Sequence, residues 1–181
     1  CDLLLGGTVH TPIASLSPEV SRNCITLMAP SKTYNIPGLG CSFAVIQDPG
    51  KRKLFTAAAE GMMPWGNSLG LTAALAAYRE GDGWLSELNE YLTANRDFML
   101  EYIRQNMPAV CSTAPAATYL AWLDCRDTRA GKNPHKHLLE NGRVAFNDGQ
   151  PFGNGGEGFI RLNFGCPRAT LEDGLDRMKS V

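Results

Sequence analysis

The chain has 181 residues, 44% hydrophobic and 19% charged, with 17 basic against 18 acidic side chains and a formal net charge of -1. That length can bury a core and build one full domain or two small ones, and the composition excludes a disordered tail. The near-neutral charge gives a phosphate backbone little to hold, and no apolar run reaches the ~20 residues that span a bilayer, so a soluble cytoplasmic protein without nucleic-acid or membrane partners is expected.

The opening Cys1-Asp2-Leu3-Leu4-Leu5 carries no initiator methionine, basic region or cleavage pattern, and it reads as a fragment entered partway through. The run Cys24-Ile-Thr-Leu-Met28 is short, apolar and partly β-branched, and Pro30 ends it, which predicts a buried strand. A second strand is expected over residues 41–46, closed by Asp48-Pro49-Gly50. Lys32 therefore falls on a connection between strands. Residues 51–107 read as helical throughout. Within them residues 68–78 are rich in alanine and leucine, with Asn67 or Ser68 as cap and Gly81 as stop, and the small side chains suit a packed interior helix. Trp84, Leu85, Leu88, Tyr91, Leu92, Phe98, Met99, Tyr102 and Ile103 then recur at spacings of three and four until Pro108. That pattern predicts one long amphipathic helix of ~20 or more residues.

After that helix the pattern changes to short strands and helices. Strands are expected at 118–123, 143–146 and 159–164, with helices at 135–140, stopped by Asn141-Gly142, and at 170–179 with Thr170 as cap. The fold class is α/β, and the change in character divides the chain into residues 1–80, a connecting helix at 81–107 and a small domain at 108–181. The six cysteines, Cys1, Cys24, Cys41, Cys111, Cys125 and Cys166, never fall in a C-x-x-C pair, and most are expected to be reduced, buried small hydrophobes. His135 and His137, two apart on a helix, do not share a face; they are read as surface residues, and no metal site is expected.

Lys32 stands in Ala29-Pro-Ser-Lys-Thr-Tyr-Asn-Ile-Pro-Gly-Leu-Gly40, before a loop stiffened by Pro37 and loosened by Gly38 and Gly40. A lysine on fixed backbone near little water loses proton affinity and can attack a carbonyl. A lone loop lysine, by contrast, is more often simply solvated. This segment resembles the lysine segment of pyridoxal-phosphate-dependent enzymes of the aspartate aminotransferase fold (fold type I, aminotransferase class I/II), most closely the branch of PatB- and MalY-type cystathionine β-lyases. In that family the aligned lysine carries the cofactor and moves the substrate α-proton, roles the resemblance gives to Lys32, with Ser31 beside it at the cofactor. Many aminotransferases of this fold grip the cofactor phosphate with a serine three before the lysine and an arginine eight after it. Ala29 and Gly40 stand at those places here.

In Gly153-Asn-Gly-Gly-Glu-Gly-Phe-Ile-Arg-Leu-Asn-Phe-Gly-Cys-Pro-Arg168, period-two alternation sends Ile160, Leu162 and Phe164 to one face and Phe159, Arg161 and Asn163 to the other. A strand arginine facing away from the core suits two-bond capture of a carboxylate. The competing reading is an edge-strand arginine paired with Glu157 or Asp173. Residues 159–168 resemble the family segment whose first arginine binds the substrate α-carboxylate, which implies that role for Arg161. The glycines at 153, 155, 156 and 158 precede a strand rather than a helix N-terminus, which excludes a phosphate loop.

The resemblance includes Thr118-Tyr-Leu-Ala-Trp-Leu-Asp-Cys-Arg126 and covers the whole chain, but only the C-terminal part of the family's length. It implies the end of a large cofactor-binding domain, a long connecting helix and a small α/β domain. It further implies pyridoxal 5'-phosphate as cofactor, a small amino acid substrate and a homodimer. The implied reaction is β-elimination across a C–S bond, with amino-group transfer as the alternative. A module that keeps the fold without catalysis is the alternative of another class. The family's aspartate that pairs with the pyridine nitrogen, and the ring that stacks on the cofactor, lie upstream of any segment like Cys1-Asp2-Leu3, so these residues alone are expected to be poorly active or inactive. Asp2, Tyr34, Asn35, Trp65, Asn67 and Ser68 could reach the cofactor or a neighbouring subunit's site, and each is read as structural rather than catalytic.

Overall fold

Side-chain caps start the helices of the first part of the chain. Ser17 Oγ accepts from Val20 N at 3.1 Å and Pro18 presets the first helical φ, which begins α1 (Pro18–Asn23). β1 (Thr26–Met28) and β2 (Phe43–Val45) pair antiparallel with Leu27 opposite Ala44. Asp48 caps α2 (Pro49–Ala59) by accepting from Lys51 N at 2.7 Å, and Asn67 caps α3 (Ser68–Glu80) by accepting from Gly70 N at 2.8 Å. α4 (Asp82–Asn106) runs 25 residues and buries Leu92, Asn95, Met99 and Ile103 at the three-and-four spacing of one helix face. β3 (Cys111–Ser112), β4 (Leu120–Asp124), α5 (Pro134–His137), β5 (Asn147–Asp148), β6 (Phe159–Asn163) and α6 (Arg168–Lys179) follow. The computed structural model describes residues 1–63 and 66–181, so Trp65 lies outside the described residues.

The chain forms two compact units, one of Cys1–Asp2 with Val9–Glu87 and one of Leu3–Thr8 with Leu88–Val181. In the second unit four strands make one antiparallel sheet in the order β3-β4-β6-β5, which places β6 in its interior. One sheet face carries Ala121, Leu123, Ile160 and Leu162, all at most 2% exposed, and the same core includes Leu92, Met99, Phe164, Leu171 and Leu175. Each buried Leu, Ile, Met or Phe among them contributes about 1.5–3 kcal/mol, so this unit holds most of the apolar stabilisation. Among the described residues of the first unit, Ile46 and Ala74 are the buried hydrophobic ones.

Residues 51–107 are not one helical stretch. α2 ends at Ala59, before Gly61 takes φ +73°, and Gly81 separates α3 from α4. Neither β1 nor α3 is the interior element expected: in β1 Leu27 is 70% exposed between a half-buried Thr26 and Met28, and α3, with Leu69 71% exposed, buries Gly70 and Ala74 alone. Apolar composition says which residues favour burial, not what covers them. The strand expected at 143–146 is instead β5. A π-helical turn at Leu138–Gly142 followed by Arg143 at φ +51° delays the extended backbone. Thr170 lies inside α6, which Pro167 precedes as cap residue. All six cysteines are free, yet only Cys125 is buried, because Cys111 belongs to a two-residue edge strand and the others sit in loops or at element ends. His135 and His137 are half-buried rather than superficial, and His135 Nδ1 lies 2.8 Å from the Phe146 carbonyl oxygen. No helix among the described residues is long and apolar enough to cross a membrane.

Candidate active site

Lys32 lies in the turn that follows β1. Pro30 is buried at its start, Tyr34 N donates to Pro30 O at 2.9 Å, and Ile36 N donates to Ser31 O at 3.1 Å. Asn35 closes the turn at φ +53°, a left-handed conformation that asparagine tolerates. Thr33 is buried and donates its hydroxyl to Asp2 Oδ2 at 2.8 Å. Beyond the single turn Pro37–Leu39, Asn67 Nδ2 donates to Leu39 O at 2.7 Å, and Gly70 lets α3 approach so closely that a Cβ would sit 2.3 Å from that oxygen. The backbone carrying Lys32 is therefore held at both ends.

Lys32 itself is exposed and Ser31 half-buried. The water-poor setting expected for the amine is not supplied by the described residues, because the side chains that fix the turn are its neighbours and not its cover. Tyr34 meets Tyr78 edge-on at 5.6 Å and Trp84 at 6.1 Å. Burial, then the charges of Asp82 and Asp2, push its phenol up, so the ring stays neutral at physiological pH.

Arg161 sits in β6 opposite Trp122 of β4 and Asn147 of β5. The alternation is as the sequence predicts, with Ile160, Leu162 and Phe164 in the core and Arg161 on the opposite face. Its Nη2 donates to Asn147 Oδ1 at 3.0 Å, and its Cζ lies 4.8 Å from the centre of the Phe152 ring. Trp122 stacks on Phe159 at 5.6 Å and meets Phe152 edge-on at 5.4 Å. The edge-strand ion pair does not form. β6 is interior, Glu157 faces Lys132 at 3.7 Å, and Asp173 pairs with Arg177 at 2.9 Å. Among the described residues Arg161 Nε is buried without a hydrogen-bond partner, and Arg161 and Asn147 line a cleft of about 410 Å³. A half-buried guanidinium without a counter-charge attracts an anion, and its fork matches a carboxylate.

Residues 2–178 match the family model of aminotransferase class I and II. The chain belongs to that family. It is 41% identical over 182 residues to the cystathionine β-lyase PatB of Bacillus subtilis strain 168, across 99% of this chain and 47% of that protein. A PLP-bound structure from Clostridium difficile 630 matches with a TM-score of 0.94 at 40% identity, covering 98% of this chain and 46% of the other. Cystalysin from Treponema denticola, whose structure contains a pyridoxal 5'-phosphate cofactor, matches with a TM-score of 0.90 at 31% identity, covering 99% of this chain and 46% of the other. The fold is that of the PLP-dependent aminotransferases, and the chain spans about half the length of the curated relatives it matches.

In this aminotransferase-family chain, four of the residues read as structural have definite jobs, Asn35 by closing the lysine turn. Asp2 anchors the lysine turn through Thr33, Tyr34 packs it, and Asn67 ties its far end. Thr33, Asn147 and Phe152 were not singled out by the sequence. Thr33 adjoins Lys32, which is a usable signal. Asn147 and Phe152 reach Arg161 through strand register and a loop return, which spacing alone does not show.

Proposed function

We propose that the protein is a PLP-dependent C–S β-lyase of cytoplasmic amino acid metabolism, working as a homodimer on cystathionine- and cysteine-type substrates. The observation that carries this reading is Lys32 on a turn anchored at both ends, in a chain 41% identical to a cystathionine β-lyase. The donor set fits the cofactor: a primary amine on exposed, fixed backbone can condense with an aldehyde, and the neighbouring Ser31 brings a hydroxyl, a donor of the kind that a phosphate accepts. Bound pyridoxal phosphate supplies the aldehyde and an electron sink for the α-carbon.

With the cofactor bound, the Lys32 amine would hold it, and the same Nζ would take the proton from the substrate Cα. Arg161 fixes the substrate α-carboxylate with its fork, which orients that Cα–H bond. Removal of that proton would let the Cβ–S bond break and the thiolate leave, and the released enamine would take up water to give pyruvate and ammonia. Amino-group transfer is the second reading, favoured by the match to the aminotransferase family model, and it uses the same lysine and arginine.

Lys32→Ala in the full-length protein tests the assignment. The variant is expected to keep its circular dichroism while losing both the visible cofactor band and pyruvate release. Retention of more than a small fraction of β-elimination overturns Lys32. Keto-acid formation at the expense of the amino donor, without thiol release, identifies a transaminase, and a wild-type protein with no cofactor band is a non-catalytic module.

A further inference from the structure

Every group that holds the Arg161 guanidinium is uncharged. Asn147 offers an amide oxygen at 3.0 Å, Phe152 offers a ring face at 4.8 Å, and Nε is buried without a partner among the described residues. Phe152 is 55% exposed, so its position is not that of a core residue seeking burial. It is placed by backbone: Phe152 N donates to Gly149 O at 3.0 Å, Gly149 N donates to Phe159 O at 3.0 Å, and a Cβ on Gly149 would lie 2.3 Å from Gly156 O. Trp122 braces the ring from its edge.

We infer that Asn147 and Phe152 are positioning residues that orient the Arg161 guanidinium without neutralising it, leaving its whole charge to an incoming α-carboxylate. The inference rests on the reading of Arg161 as the substrate arginine. Nε is sealed and Asn147 uses one Nη2 proton, so the carboxylate binds end-on across the Nη1 and Nη2 edge. An aspartate at position 147 would occupy the same corner with a negative charge and compete with the substrate. Leucine at position 152 would fill similar space but give the cation no π face.

The test measures KM and kcat for an amino acid substrate, calorimetric affinity for glycine and for glycinamide, and melting temperature, in full-length wild type and in Arg161→Lys, Asn147→Asp, Phe152→Leu and Phe152→Tyr. Phe152→Leu is expected to raise KM about three- to ten-fold with kcat nearly unchanged, and Phe152→Tyr to restore it. Asn147→Asp is expected to weaken glycine binding by about ten-fold or more while glycinamide, which lacks the carboxylate, is unaffected. If Arg161→Lys weakens glycine binding but Asn147→Asp and Phe152→Leu do not, the positioning role is wrong and the arginine assignment stands. If Arg161→Lys leaves glycine binding intact, the arginine assignment fails and the positioning role falls with it. Parallel losses of kcat and melting temperature in both Phe152 variants make the ring a structural element and overturn the inference.

Discussion

Thr33 donates its hydroxyl to Asp2 Oδ2 at 2.8 Å, joining residues 31 positions apart at a point next to Lys32. The donor is buried, and its partner is a carboxylate, so the bond is of the stronger, charge-assisted kind. Thr33→Val keeps the shape and removes the donor. It is expected to lower unfolding free energy by about 1–3 kcal/mol, with Thr33→Ser recovering most of the loss. Denaturant titration measures this, and a Thr33→Val protein as stable as wild type would remove the anchor from the account.

Gly158 is expected to resist substitution. Its φ is +83°, and a Cβ there would lie 2.4 Å from Arg126 Cγ. Arg126 has little freedom to withdraw, since it is held to Asp124 by hydrogen bonds of 2.9 and 2.7 Å and lies 4.9 Å over the Phe159 ring. Gly158→Ala should cost about 1–3 kcal/mol in backbone strain, before any cost of displacing Arg126, and thermal melting should show it. An unshifted melting temperature would mean that the loop relaxes freely.

Alkaline stability is linked to Tyr102, which donates a hydrogen bond to Asp176. Burial, then that hydrogen bond and the Asp176 charge, push the phenol up to about 12. An unfolded tyrosine titrates near pH ~10, so the folded state holds the proton more tightly. Its contribution is complete below pH ~10 and is lost as pH rises toward the folded value. Tyr102→Phe should flatten this part of the stability profile between pH 10 and 12 without steepening it elsewhere, as urea midpoints across that range would show. An unchanged alkaline slope would assign the sensitivity to other groups.

α4 was legible because nine apolar residues recur at one spacing, and that periodicity is a property of the chain before it packs. The two faces of β6 were legible for the same reason, since alternation follows from strand geometry alone. β3 and α1 were missed. β3 has two residues and exists through its register with β4, whereas α1 has six residues and little apolar pattern to mark it. The burial of α3 was misjudged because small and apolar side chains permit close packing without naming a partner, and only Gly70 and Ala74 found cover among the described residues.

By itself the sequence determined the long helix, the inward and outward faces of β6, and the family, through the segments around Lys32 and Arg161. The tertiary structure decided that Arg161 has an amide and a ring for company rather than a carboxylate, and that the lysine turn is tied to Asp2 and α3. Periodicity and local motifs are written in neighbouring residues. Which residues meet across 14 or 31 positions depends on sheet register and on the return path of loops, and those are set by the free energy of the packed chain as a whole.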